Sequence, residues 1–194
     1  MRTAALALLT VSSLLAQNVP SHKTVGASMA KVAVEVFSDY QCPLCKQLYE
    51  KTLKPLIAEY AQKGKIYFIH REFPLPMHAY AREAACFACA ADRVGKYEQV
   101  CDALFRDQDS WSKTGKVADS ACSALTPTEA KKVRELAHDA SIKNEIDSDL
   151  RLGVSRGVGA TPTMFVTSGG RSYPHSSFVS YPVLRGLVEQ LIAH

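Results

Sequence analysis

The hydrophobic and polar positions of the chain change their spacing in a regular order. Residues 31–40, KVAVEVFSDY, alternate and are rich in valine and phenylalanine, which is typical of a buried strand. From residue 43 the apolar side chains follow helical spacing, namely Cys45, Leu48, Tyr49, Leu53, Leu56, Ile57 and Tyr60. Residues 65–73, KIYFIHREF, form a second strand after Gly64. This order predicts a βαβ unit with two parallel strands.

The rest of the pattern predicts helices followed by a hairpin and a last helix. Helical spacing recurs near residues 78–94, 96–106, 116–124, 128–138 and 141–156. The stretch ATPTMFVTSGGRSYP then predicts a strand at 163–167, a Ser-Gly-Gly turn and a strand at 171–174. Residues 181–193 have one apolar face and predict a closing helix. We expect an α/β protein with a helical insertion between the second and third strands. Pro55 should kink the first helix near residues 51–54.

The amino terminus, MRTAALALLTVSSLLAQN, predicts an export signal. It has one arginine, a short apolar run and a small residue, Ala16, near its end. It is too short and too interrupted by polar residues to span a bilayer stably. A frayed amino-terminal helix is the alternative. We therefore predict a signal peptide at 1–16, a lead-in at 17–30, one domain formed by 31–77 and 158–194, and an insertion at 78–157.

Charge and cysteine content narrow the class of function. The formal net charge is +4, and removal of Arg2 with the signal would leave +3. This balance is too mild to indicate nucleic-acid binding, and no basic run with interleaved aromatic residues is present. All of the six cysteines follow residue 16, and an even number suits an oxidising compartment where disulfides persist.

Cys42-Pro43-Leu44-Cys45 lies between the first strand and the first helix. Cys42 falls where unpaired N–H groups and the helix dipole favour an anion, which lowers a thiol pKa. Cys45, one turn further on, suits a resolving thiol. A metal site would need two further ligands, which Cys86 and Cys89 offer only superficially, because they lie within a predicted helix. A structural disulfide across so short a loop would constrain little. The pattern favours a redox dithiol.

The other four cysteines allow three pairings. Cys86 and Cys89 lack the activating helix N-terminus, so we expect small buried thiols or bridges to neighbouring helices, with a second redox centre as the lesser alternative. Cys101 and Cys122 lie in successive predicted helices. A disulfide between them would close a loop and stabilise the folded state by roughly 3 kcal/mol. We favour this pairing.

Three motifs together carry a resemblance to a known family. VFSDYQCPLCKQL resembles the strand and CxxC motif of the DsbA-like branch of the thioredoxin superfamily. The stretch from residue 71 to 105, which begins REFPLPMHAYAREAACFACAADR, is similar to the start of its helical insertion, and GVGATPTMFV to its cis-proline loop. The resemblance runs from about Val32 to the carboxyl terminus. It implies a thioredoxin fold with βαβ and ββα halves and an all-helical insertion that covers the active-site side. In the mixed sheet that it implies, the spatial order is second, first, third, fourth, with the strand at 163–167 antiparallel to the first strand and the strand at 171–174 at the edge.

The resemblance also implies roles for individual residues. Cys42 and Cys45 would be the catalytic pair, tuned by Pro43 and Leu44. Thr161-Pro162 would form a cis peptide beside them, with the Thr161 backbone pairing with the substrate chain. Strong oxidases of this type have histidine where this chain has Leu44. We therefore predict a Cys42 pKa between roughly 3.5, as in DsbA, and about 7, as in thioredoxin.

These residues point to an extracytoplasmic, for example periplasmic, thiol:disulfide oxidoreductase. We expect it to act mainly as an oxidase on the thiols of unfolded or partly folded proteins, without metal or organic cofactor. The resemblance implies a quinone-linked membrane partner, DsbB-like or VKOR-like, that restores the disulfide. A reductase or isomerase is one alternative, which Thr161 and the missing histidine favour. A non-catalytic binding module of the same fold is the other.

Overall fold

The computed structural model describes residues 23–194 and contains a central five-stranded mixed sheet. The strands are β1 Thr24–Gly26, β2 Val32–Ser38, β3 Tyr67–Glu72, β4 Thr163–Ser168 and β5 Arg171–Ser176. Their spatial order is β1-β3-β2-β4-β5. β2 is parallel to β3 and antiparallel to β4, and β5 completes a hairpin at one edge. These directions are the predicted ones. The pattern does not predict β1, which pairs antiparallel with β3 at the other edge.

Helix α1 follows β2 and leads into β3. It is a continuous helical run made of Pro43–Leu48, Tyr49–Leu53, Lys54–Leu56 and Ile57–Ala61, in which the second and fourth segments have wide π turns. Pro55 has no N–H to donate, and its ring would crowd the carbonyl of Lys51 in a regular helix. Wide turns on either side of Pro55 accommodate this residue. The predicted disturbance near residues 51–54 takes that form.

Six helices lie between β3 and β4. They are α2 Ala81–Asp92, α3 Tyr97–Arg106, α4 Gln108–Thr114, α5 Val117–Cys122, α6 Pro127–Leu136 and α7 Ala140–Ser155. Helix α8, Tyr181–Ala193, follows the β4–β5 hairpin. The predicted helices of the insertion all occur with ends shifted by a few residues. Helix α4 occurs in addition and is not predicted, because QDSWSKT contains only one large apolar side chain and has no periodic pattern.

Two large apolar clusters hold these layers together. One lies between the sheet, α1 and α8, and includes Val34, Leu56 and Leu184. The other lies within the insertion and extends to Cys42 and Cys45. Burial of each large aliphatic side chain contributes about 1.5–3 kcal/mol. Because the second cluster contains both cysteines, the insertion packs directly against the CxxC segment, as predicted.

A buried ionic cluster joins the start of the described chain to the insertion. Lys23 Nζ lies 2.8 Å from Glu145 Oε1 and 3.1 Å from Asp149 Oδ2, and 3.8 Å from Glu72 Oε1. Burial raises the pKa of Glu72 to about 8, and the charge of Lys23 opposes that rise. Removing one partner of such a cluster typically costs about 3–5 kcal/mol, because a buried charge is left uncompensated. The cluster therefore fixes helix α7 against the sheet.

Candidate redox site

Cys42 is the residue immediately before the first turn of α1. Its backbone is extended, with φ −79° and ψ 123°, and Pro43 occupies the first helical position. Proline is well tolerated there because that N–H would have no partner in the helix. The Cys42 carbonyl accepts hydrogen bonds from the backbone N–H groups of Cys45 at 3.1 Å and Lys46 at 3.2 Å. The Cys42 sulfur therefore lies at a helix N-terminus, where a negative charge is stabilised.

The loop before β4 lies against this sulfur. The Cys42 sulfur lies 3.4 Å from the carbonyl oxygen of Thr161, to which the protonated thiol donates a hydrogen bond. The Thr161-Pro162 peptide bond is cis. Apart from its interaction with the Cys42 sulfur, the buried Thr161 hydroxyl has no hydrogen-bond partner among residues 23–194. The fold thus brings Cys42 and Thr161, which are 119 positions apart in the sequence, into direct contact.

The two thiols of the motif have opposite acidities. A hydrogen bond from the Cys45 thiol, the backbone N–H groups of Cys45 and Leu44, and the Thr161 side chain lower the pKa of Cys42 to about 5, against the opposing effect of burial. Burial raises the pKa of Cys45 well above its ordinary value, and the hydrogen bond to Cys42 raises it further. Around neutral pH the pair therefore holds a thiolate on Cys42 and a thiol on Cys45. This is the division between an attacking and a resolving thiol.

The segment leading into Cys42 is fixed by its own side chains, which bond to residues 75–80. Asp39 carboxylate oxygens accept hydrogen bonds from the N–H of Leu75 at 2.8 Å and contact His78 Nδ1 at 2.7 Å. The Gln41 side-chain carbonyl accepts from the N–H of Tyr80 at 2.8 Å. These contacts connect the loop to the segment between β3 and helix α2.

Gln108, on the first turn of α4, is a site residue that the sequence pattern does not reveal. Its side chain is 2 % exposed. Its amide nitrogen donates to the carbonyl of Tyr40 at 2.6 Å and to the carbonyl of Cys42 at 3.0 Å. The role of Gln108 could not be predicted from the sequence, because a buried glutamine cannot be distinguished from an exposed one without the fold.

Pro43 and Leu44 are exposed at the surface of the site. Leu44 is 42 % exposed, and its apolar side chain offers neither charge nor hydrogen bond. Its backbone N–H helps to lower the Cys42 pKa. The influence of this position on the thiolate therefore comes from the main chain.

The four remaining cysteines are free thiols whose pKa values burial raises. The Cys101 sulfur lies 2.9 Å from the Tyr40 hydroxyl, whereas Cys122 faces the carbonyl of Ala130 at 4.0 Å. The predicted Cys101–Cys122 disulfide is not formed in this structure, which gives that pairing no support. Cys86 and Cys89 lie within α2, away from its first turn. In the described part of the chain, no group of three or more His, Cys, Asp or Glu side chains could hold a metal ion.

Comparisons with known proteins agree with this architecture. A family model described as thioredoxin matches residues 18–177. The chain therefore belongs to the thioredoxin family. Its fold is that of DsbA-like members: it superposes on Wolbachia pipientis alpha-DsbA1 with a TM-score of 0.72 and 21 % identity, covering 88 % of this chain and 90 % of that one.

Two curated relatives align over a smaller share of this chain. The probable disulfide bond formation protein D of Bacillus cereus is 21 % identical over 155 residues, which are 75 % of this chain and 70 % of that protein. The Na(+)/H(+) antiporter NhaA 3 of Salinispora tropica is 27 % identical over 152 residues, which cover 78 % of this chain but only 22 % of the antiporter. Within residues 23–194 no helix has both the length and the apolar character needed to cross a membrane.

Proposed function

We propose that this chain is a thiol:disulfide oxidoreductase that acts mainly as an oxidase, with Cys42 and Cys45 as its redox pair. The observation that carries the proposal is the contrast between the two sulfurs. Cys42 has a pKa of about 5 at a helix N-terminus, and Cys45 beneath it is buried and keeps its proton. A structural thiol pair would have no need of this asymmetry. Membership of the thioredoxin family and the name of the Bacillus cereus relative support the same assignment.

The proposed reaction moves two electrons from substrate to protein. A substrate thiolate attacks the Cys42 sulfur of the oxidised pair, the Cys42–Cys45 bond breaks, and Cys45 leaves and takes up a proton. A second substrate thiolate then attacks the substrate sulfur of this mixed disulfide. A substrate disulfide forms and Cys42 leaves as a thiolate. Because that thiolate is stabilised by the helix N-terminus and the Cys45 thiol, the reduced form is favoured and the disulfide is a good oxidant.

Thr161 and Pro162 supply the substrate-binding wall in this proposal. The Thr161 carbonyl is already within 3.4 Å of the Cys42 sulfur, so a chain bound along Thr161 would present its own sulfur to Cys42. Backbone pairing of this kind suits extended, unfolded substrates, because it needs no particular side chain. This supports protein thiols as the substrate class.

The remaining parts of the proposal concern the cellular compartment of the protein and its redox partner. The signal at 1–16 lies outside the described residues, and the export that it predicts would put the protein in an oxidising compartment. Continued turnover requires an acceptor that removes two electrons from the reduced pair. We propose a quinone-linked membrane protein of the DsbB-like or VKOR-like kind for this step.

A reductase or isomerase is the second candidate, and Leu44 favours it. The exposed Leu44 side chain cannot stabilise the Cys42 thiolate as a histidine would, which makes the disulfide a weaker oxidant. The two candidates differ in the resting state in the cell. An oxidase should be found mostly as the disulfide, and a reductase mostly as the dithiol, when free thiols are trapped by alkylation in living cells.

The decisive variant for the proposed function is Cys42→Ser, tested by the oxidation of a dithiol peptide with the purified, preoxidised protein. We expect complete loss of activity. Cys86→Ser is the matched control, because Cys86 belongs to the other CxxC sequence of the chain and should leave the rate unchanged. Undiminished activity of Cys42→Ser, or equal loss in both variants, would falsify the assignment.

A further inference from the structure

The amide of Gln108 is the one side chain of the insertion that bonds to the backbone of the redox loop on both sides of Gln41. Within residues 23–194, its two N–H groups meet two carbonyls, those of Tyr40 and Cys42, at 2.6 and 3.0 Å. A primary amide has two donors in one plane, so this contact fixes the spacing and direction of both carbonyls together. Among the described residues the Tyr40 carbonyl accepts no backbone hydrogen bond. The Tyr40 carbonyl therefore depends on Gln108 for its hydrogen bond.

The orientation of the Cys42 carbonyl determines where the Cys42 sulfur lies. That carbonyl is also the acceptor for the N–H groups of Cys45 and Lys46, which form the first turn of α1. The N–H groups of Leu44 and Cys45 in this turn stabilise the Cys42 thiolate. A rotation of the Cys42 peptide would move the sulfur relative to these groups and relative to the Thr161 carbonyl.

Helix α4 gives Gln108 a rigid base. Trp111, one turn further along, is fully buried, and its indole N–H donates to the carbonyl of Leu104 at 2.7 Å. The connection therefore runs from the packed core of the insertion, through α4 and the Gln108 amide, to the backbone at Cys42. Hydrogen bonds to buried carbonyls hold geometry well, because an unsatisfied buried carbonyl is costly.

We infer that Gln108 is a positioning residue, which holds the Tyr40–Cys42 backbone so that the Cys42 sulfur stays at the N-terminus of α1 and against Thr161. It touches neither the reacting sulfur nor the substrate, and acts through the Cys42 main chain. The inference rests on the proposed function, since it assigns Gln108 a part in the chemistry of the Cys42–Cys45 pair. It also gives the insertion a role in setting the oxidising strength of the site.

The test compares Gln108→Leu, which keeps the bulk of the side chain but has no donor, with the wild type. Gln99→Leu is the control, because Gln99 is exposed on neighbouring helix α3. The ionisation of Cys42 is followed by thiolate absorbance, the redox equilibrium by titration with glutathione, and stability by thermal unfolding. In Gln108→Leu we expect the ionisation constant of Cys42 to fall roughly three- to tenfold, the effect of a hydrogen bond of ordinary strength. The equilibrium with glutathione should shift toward the oxidised protein by a similar factor, and Gln99→Leu should change neither quantity.

A purely structural role would give a different result. Gln108→Leu would then unfold at a lower temperature while Cys42 ionised as in the wild type, and this outcome would overturn the inference. If Gln108→Leu does not fold, Gln108→Met takes its place, because methionine keeps the length of the side chain, carries no charge and has no N–H to donate to the carbonyls. Its Cys42 should ionise at higher pH than that of the wild type, and an unchanged titration would again overturn the inference. The titrations need no substrate. A shifted titration in a protein that fails to oxidise dithiols would therefore support the positioning role and reject the proposed function.

Discussion

Replacing Cys45 by alanine removes the hydrogen bond that contributes most to the low pKa of Cys42. A hydrogen bond to a charged group stabilises it by about 1.5–3 kcal/mol. One pKa unit corresponds to about 1.36 kcal/mol, so this loss amounts to about 1 to 2 units. From its value of about 5, the Cys42 pKa should rise to about 6–7 in Cys45→Ala. The helix N-terminus remains in the variant, which is why the pKa should stay below the ordinary thiol value.

This change in the Cys42 pKa is measured by thiolate absorbance between about pH 3 and about pH 9, a range that covers the titration of a thiol of such acidity. The signal is free of interference, because burial raises the pKa of each of the other thiols, Cys86, Cys89, Cys101 and Cys122. Cys45→Ser is the matched control, since its hydroxyl can still donate to the Cys42 sulfur and should leave the pKa near 5. If Cys45→Ala titrates like the wild type, the thiolate is stabilised by the helix alone and our account of the pair is wrong.

Three further predictions concern the same thiolate. The reduced protein should gain stability as the pH rises from about 5, where native Cys42 ionises, to 9.0, the ordinary pKa that Cys42 has when unfolded. The full pKa shift represents about 5 kcal/mol of folding free energy, and solvent screening at this edge of the protein reduces the gain to about 2–3 kcal/mol. Denaturant titrations in which the reduced wild type and Cys42→Ala show the same dependence of stability on pH would contradict this prediction. Leu44→His should lower the Cys42 pKa and make the pair more oxidising, and an unchanged thiolate titration would refute this tuning. Thr161→Val should raise the Cys42 pKa, because the Thr161 side chain helps to lower it, without loss of stability, because the buried hydroxyl bonds to no other group among residues 23–194; a large drop in melting temperature would show instead that the hydroxyl supports the fold.

The parts of the fold with a clear period could be predicted from the sequence. The strand that leads to Cys42, helix α1, the parallel strand β3 and the β4–β5 hairpin all follow from alternation, helical spacing and turn residues. The cysteine pair could be placed at the helix start for the same reason. The contact with Thr161 came from a resemblance in the GATPT segment, because nothing local joins residues so far apart.

The missed elements share a physical cause. Strand β1 is only three residues long, so no alternation can develop in it. Helix α4 is polar except for Trp111, and its stability comes from tertiary packing of that one side chain. Gln108 and Lys23 are polar residues, so their burial cannot be predicted from the sequence around them. They are buried because they bond to partners that lie far away in the sequence.

The reduction potential of the Cys42–Cys45 pair tests the central claim most directly. It can be measured by equilibrating the purified protein with glutathione buffers and counting the thiols that react with an alkylating reagent. A Cys42 thiolate stabilised as described, but without help from Leu44, predicts a potential between about −120 mV, as in DsbA, and about −200 mV. The protein would then oxidise the thiols of its substrates. A potential near about −270 mV, as in thioredoxin, would mean that the pair is a reductant and would contradict the oxidase assignment.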